Sequence, residues 1–285
     1  MNILIALVPA LGWGLMPLVA SKTGGKPANQ IFGTGLGATI VGVLVLLVAR
    51  PSLDIRTFLF ALFCGAFWTI GQIGQFVSFR SIGVAKTMPI STGLQLVGNS
   101  LVGVMIFGDW PGASARIIGF VALLIVVLGV VLTSVNDQND DTDRVALQNL
   151  VFLVVTTVGY WFYSAFPQIV PHADGQALFF PQMLGILLGA MIYALASGQV
   201  QIFAEKESWL GAVAGLFFGV AALAYIFSAR ENGVAPAFIY TQLSVVLATL
   251  GGVLFLKEKK TRREMVFTLL GLGLIVAGSV MTSFA

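Results

Sequence analysis

Apolar stretches of about 20 residues, the length an α-helix needs to cross the hydrocarbon core of a bilayer, alternate with short polar breaks along the whole chain. Ten such stretches can be marked, at residues 2–20, 31–49, 57–79, 86–107, 115–134, 148–166, 176–196, 208–229, 236–256 and 264–283. The sixth and seventh have the least regular pattern, because Pro167, Pro171 and Pro181 crowd their junction. The connections are short, so the pattern predicts an all-α membrane protein: a compact bundle of ten transmembrane helices with no domain outside the membrane. One connection is distinctly polar, 136-NDQNDDTDR-144, near the middle of the chain.

Composition agrees with the pattern. Of 285 residues 58% are hydrophobic and 9% charged, against about 25% charged in an ordinary soluble domain, which excludes that class. Mean hydropathy is +0.96. The net charge of +3 sits between apolar runs and forms no surface for nucleic acid. A single cysteine, Cys64, excludes an intrachain disulfide and a multi-cysteine metal site, and no cofactor or metal is expected. The N-terminal stretch lacks the basic flank of a signal peptide and reads as a retained first span.

The central polar connection separates two related halves. The stretch 76-FVSFRSIGVA-85 aligns with 226-IFSARENGVA-235 at an offset of 150, and 127-VLGVVLTS-134 with 276-VAGSVMTS-283 at 149. Asp109 corresponds to Glu258. These matches predict a first five-helix repeat at 1–135, a polar linker at 136–147 and a second five-helix repeat at 148–285. An odd number of spans per repeat inverts the second relative to the first, an arrangement that recurs in transporters with substrate held between the halves. Lys and Arg favour the odd-numbered connections eleven to four, which predicts that those connections are cytoplasmic and both termini extracellular. Gly33 and Gly37, Gly185 and Gly189, and Gly211, Gly215 and Gly219 recur at every fourth position, the spacing that lets helices approach closely.

Against this background the stretch 87-TMPISTGLQLVGNS-100 is unusual. It lies in a charge-free run from Thr87 to Gly108, yet carries Thr87, Ser91, Thr92, Gln95, Asn99 and Ser100. Polar groups unpaired in hydrocarbon are costly, so partners or a ligand inside the bundle are implied. Thr92, Gln95 and Asn99 share one helical face with Ser91 beside it; on the preceding span Trp68, Gln72 and Gln75 share another. The second half answers with Tyr225, which aligns with Gln75, and Gln242, which aligns with Thr92. Trp13 and the cluster Tyr160, Trp161 and Tyr163 add aromatics from the first span of each half. Helix-to-helix hydrogen bonding accounts for one such amide. Four amides beside indole and phenol rings predict a polar cavity for a neutral, polyhydroxylated ligand, with no charge to compensate an ion.

The stretches GAFWTIGQIGQ, TMPISTGLQLVG, NQIFGTGLGATIVG, GDWPGASARIIG and TQLSVVLATLGGVLFLKEKKTRREM resemble the bacterial glucose/ribose uptake porters, a branch of the drug/metabolite transporter superfamily. The resemblance runs nearly end to end. It implies sugar uptake across the cell membrane, with glucose as substrate and the proton gradient as driving force. By position it implies site roles for Trp68, Gln72, Gln75, Met88, Pro89, Ser91, Thr92, Gln95 and Gln242. Lys86 departs from the family pattern, where a small polar residue such as Asn is expected. The alternative on the same fold is a facilitator or an exporter of another small neutral metabolite.

Ionisable groups for coupling are few. Asp109 and Glu258, at matching span ends, are the coupling candidates; capping or ion pairing is the simpler role for each. Arg230 could form a gate with Asp109, and His172 lies in a loop. An intramembrane enzyme would need a nucleophile with a base, paired acids or metal ligands in one cavity, and the sequence offers none of these sets.

Overall fold

The computed structural model describes residues 3–52, 54–137, 143–169 and 174–285. His172, and residues 138–142 of the polar linker, lie outside the described residues. Every element among the described residues is helical: α1 (Ile3–Thr23), α2 (Pro27–Ala49), α3 (Ile55–Ile82), α4 (Val84–Val102), α5 (Ala113–Thr133), α6 (Asp143–Thr156), α7 (Val158–Ile169), α8 (Gly175–Ala196), α9 (Lys206–Leu210), α10 (Ala212–Asn232), α11 (Val234–Thr241), α12 (Leu243–Phe255) and α13 (Arg262–Thr282). Beyond α4 the residues Gly103–Phe107 continue as one wider turn.

Local chemistry sets several starts. Asp54 accepts from the Thr57 amide at 3.0 Å before α3, and Thr261 with Glu264 forms a reciprocal capping box before α13. Pro27 occupies the first turn of α2, where its missing N–H removes no helical bond.

Among the described residues nine helical stretches are long and apolar enough to cross a membrane. The protein is a multi-pass membrane protein. The sixth predicted span, 148–166, is instead divided into α6 and α7 at Thr157. Hydrogen bonding nonetheless runs through the break, from the Thr157 amide to Leu153 O at 3.0 Å and from the Tyr160 amide to Thr157 O at 2.9 Å. The hydroxyls of Thr156 and Thr157 both bond back to the preceding turn, a habit that bends helices. The ninth predicted span divides similarly at Gln242, between α11 and α12.

The packing partners come in matched pairs. The second span, α2, packs against α8 and α10, while the seventh, α8, packs against α2 and α3. The first span meets the eighth (α1 on α10) as the sixth meets the third (α6 and α7 on α3). The fifth and tenth, α5 and α13, lie along each other. Glycines set the closest crossings. A Cβ at Gly33 would sit 2.7 Å from the Gly211 α-carbon, and one at Gly215 would sit 2.9 Å from that of Gly37. On the matching side a Cβ at Gly189 would lie 3.1 Å from the Ala66 α-carbon, so α8 touches α3 backbone to backbone as α10 touches α2.

Candidate substrate site

The face that Trp68, Gln72 and Gln75 share on α3 is buried, and a neighbouring helix completes it. Tyr160, three residues after the Thr157 break, sets its ring edge against Trp68 at 5.8 Å and 71°. Gly71 makes room for that ring: a Cβ there would lie 2.7 Å from Tyr160 Cγ. The Tyr160 hydroxyl donates to Gln72 Oε1 at 2.8 Å, and Gln72 Nε2 donates to Gln75 Oε1 at 2.9 Å. Gln75 Nε2 then donates to Ser91 Oγ at 2.9 Å, and Gln95 Nε2 to the same oxygen at 3.2 Å. One hydrogen-bonded chain thus joins Tyr160, Gln72, Gln75, Ser91 and Gln95 across α7, α3 and α4.

Each glutamine amide has two N–H donors, and the chain engages one on each of Gln72, Gln75 and Gln95. The chain is therefore held in place by protein partners while keeping hydrogen-bonding capacity in hand. Its surroundings are aromatic. Trp68 packs on Phe218 of α10 at 4.5 Å, and Trp13 of α1 lies 5.8 Å from Tyr225, also on α10. The Trp13 indole N–H is buried with no hydrogen-bond partner among the described residues, an orphan donor of the kind a ligand hydroxyl satisfies.

Asn99 and Gln242 stand apart from the chain. Asn99 Nδ2 donates to Ser164 Oγ at 3.2 Å, and its Oδ1 is buried with no partner among the described residues. Asn99, Ser164 and Trp161 line a cavity of about 60 Å³ with Gly103 and Phe107. Gln242 sits at the α11–α12 break, where Nε2 donates to Thr241 Oγ1 at 3.2 Å and to Phe238 O at 3.4 Å, so its amide is engaged within its own segment. Thr92 is half-buried on α4. Ser164 was not singled out by spacing; Trp161 was, in the aromatic cluster, and its indole N–H donates to Leu94 O at 3.1 Å. Both depend on how α7 docks against α4.

At the span ends, Arg230 pairs with Asp174, which also caps α8 through the Gln176 amide at 3.2 Å, and not with Asp109. Asp174 starts the helix beside Arg230, so the nearer acid takes the guanidinium. Glu258 is half-buried and its carboxylate accepts from the amides of Val84 at 2.7 Å and Ala85 at 2.8 Å. Asp109 is exposed. Among the described residues, His, Cys, Asp and Glu nowhere gather in threes.

The chain matches the family model described as "Sugar transport protein" over residues 4–285. It is 45% identical over 282 residues to the "Putative sugar uptake protein" of Lactobacillus helveticus, covering 99% of this chain and 100% of that one. It is 40% identical over 289 residues to the "Putative ribose uptake protein RbsU" of Latilactobacillus sakei, covering 99% and 98%. A solved crystal structure superposes with a TM-score of 0.65 at 16% identity, covering 99% of this chain and 96% of the other, a likeness of fold.

Proposed function

Because the chain belongs to the sugar transport protein family, we propose that it takes up a neutral sugar across the cell membrane by alternating access. Glucose is the first substrate to test. Ribose, the sugar in the name of the Latilactobacillus sakei relative, is the second. The observation that carries the reading is the chain Tyr160–Gln72–Gln75–Ser91–Gln95 with aromatic faces around it. Neutral amides match hydroxyl groups in hydrogen-bonding capacity, and a ring such as Trp68 matches the C–H face of a pyranose. No formal charge stands in the set, which suits a neutral ligand and disfavours an ion.

The two halves are taken as inverted five-helix repeats, 1–135 and 148–285. The exchange of packing partners supports this, since second-with-eighth mirrors seventh-with-third. Rocking of one bundle on the other around the amide chain then opens the site to each face in turn. The bias of Lys and Arg puts the odd-numbered connections in the cytoplasm and both termini outside.

Proton coupling is the proposed driving force, with facilitated diffusion as the second reading. The second reading is favoured by the state of the acids: Glu258 is bound by two backbone amides, Glu264 by those of Asp137 and Thr261, and Asp109 is exposed at a span end. Proteoliposomes loaded at higher pH than the bath decide between them. Labelled glucose that concentrates inside supports coupling. Glucose that only equilibrates supports the facilitator, and if neither glucose nor ribose enters faster than into protein-free vesicles, both readings are contradicted.

A further inference from the structure

The two ends of the bundle are built alike but differ in one contact. At one end the Glu258 amide donates to Gly252 O at 3.2 Å, after Lys257 at a φ of +57°. At the other, the Asp109 amide donates to Gly103 O at 3.1 Å, after Gly108 at a φ of +75°. The offset of 149 that relates Asp109 to Glu258 in the sequence also relates Gly103 to Gly252 and Gly108 to Lys257. The helix starts that face these turns match as well, since Gly83, Val84 and Ala85 correspond to Gly233, Val234 and Ala235, with φ of +79° and +89° at the two glycines.

Among the described residues, the contact itself is present at one end alone. The Glu258 carboxylate receives both first amides of α4 and crowds Gly83, where a Cβ would lie 2.8 Å from Glu258 Cδ. A Cβ at Gly252 would lie 2.9 Å from the Ala85 amide nitrogen, so the end of α12 is pressed onto the start of α4. At the other end the Asp109 carboxylate turns back onto Gly103. Among the described residues, a Cβ at Gly233 would meet only the Pro236 ring, at 3.6 Å. The exposures record the same difference: Val84 is 1% exposed and its counterpart Val234 is 67% exposed.

We propose that Glu258 and Asp109 are reciprocal latches. Glu258 on the amides of Val84 and Ala85 holds shut the end that carries the third and ninth connections. Asp109 takes the amides of Val234 and Ala235 when the opposite end closes. The structure is the state with the Glu258 latch made and the Asp109 latch released. A carboxylate on two helix-start amides is a strong, directional, charge-assisted contact, and it complements the positive end of the helix dipole. Made at one end while broken at the other, it gives the bundle two discrete arrangements of similar energy, as alternating access needs. Lys260 lies close enough to both Glu258 and Lys86 to interact with each electrostatically, so the latch rests in a basic setting at that end.

This inference rests on the proposed alternating access, and the experiment separates the two. Single cysteines at Val84 and Val234 in a Cys64→Ala background leave the backbone donors intact, and a small thiol reagent reads the opening of each end. In the otherwise unsubstituted protein the position-84 cysteine is expected to react more slowly than the position-234 cysteine, with glucose moving the two rates in opposite directions. Glu258→Ala should raise the rate at 84 about tenfold and lower that at 234, the shift given by one lost charge-assisted contact. Asp109→Ala removes an exposed side chain, so its melting temperature should hold. Its glucose entry and counterflow should both fall about tenfold, and Asp109→Glu should restore them.

Rates at 84 and 234 that never move oppositely, with or without glucose, overturn alternating access and the latches with it. Opposite movement that Glu258→Ala and Asp109→Ala leave unchanged overturns the latches alone. Loss of pH-driven accumulation in Asp109→Ala with counterflow intact makes Asp109 a proton carrier and also overturns them.

Discussion

Tyr160 donates its phenolic hydrogen to Gln72 Oε1 across 2.8 Å, tying the helix that follows the Thr157 break to the amide face of α3. Both residues are buried, so neither group has bulk water as a substitute partner. Tyr160→Phe keeps the ring against Trp68 and removes one donor. It leaves the Gln72 carbonyl short of a partner, which costs about 1–3 kcal/mol. The melting temperature should fall by a few degrees. Equilibrium binding should show glucose held about tenfold more weakly, because Gln72 is then free to turn out of line.

Gly71 tests the same contact from the other side. A methyl group at Gly71 would lie 2.7 Å from the Tyr160 ring, and overpacking of this kind costs about 1–3 kcal/mol. Gly71→Ala should therefore lower the melting temperature and weaken glucose binding together. Gly273→Ala is the control: a Cβ there meets nothing within 4 Å, and alanine is the better helix former. Its thermal melt and glucose affinity should match the parent protein.

Much of the geometry of this candidate site was legible in helical spacing alone. Trp68, Gln72 and Gln75 fall on one face of a helix of 3.6 residues per turn, and the structure buries that face as a unit. Ser91 and Gln95 join it because they lie one turn apart on the next span. Trp13 and Tyr225 meet although nothing in either local sequence requires it. What spacing could not give were the contacts set by docking. Glu258 reaches Val84 from 174 positions away, and Asp174 rather than Asp109 takes Arg230. The breaks at Thr157 and Gln242 were equally hidden, since neither position is a proline or a glycine.

Orientation is open to a direct check. Ser81 lies in the last turn of α3, at the third connection, and Ser114 in the first turn of α5, just after the fourth, and both are exposed. As single cysteines in a Cys64→Ala background, the Ser114→Cys protein should react with a membrane-impermeant thiol reagent in intact cells. The Ser81→Cys protein should react only after permeabilisation. The reverse pattern would invert the topology.

Asp137 ties the start of the polar linker to the start of α13. It accepts from the Thr261 hydroxyl and from Arg263 Nη1 at 2.6 Å, and its own amide donates to Glu264 Oε1 at 2.8 Å. The Thr261 hydroxyl, with Arg263 after it, holds the Asp137 carboxyl below its usual value of 3.8. A carboxyl with a lowered folded-state pKa contributes stability above its unfolded pKa and loses it as pH falls through the folded one. Asp137→Asn should thus melt slightly below the parent at neutral pH. The gap should narrow as pH falls below about 4. A gap that is constant from neutral to acid pH would show that the charge on Asp137 plays no part.

The claim that the amide chain holds the sugar meets its most direct test in equilibrium binding of glucose and ribose to the purified protein and to Gln75→Ala, the middle link of that chain. The parent should bind at least one of the two sugars saturably. Gln75→Ala should raise that Kd about tenfold or more, as expected for the loss of one or two hydrogen bonds, in a protein that still folds. Saturable binding with the same Kd in both proteins would contradict the account, as would a folded parent that binds neither sugar.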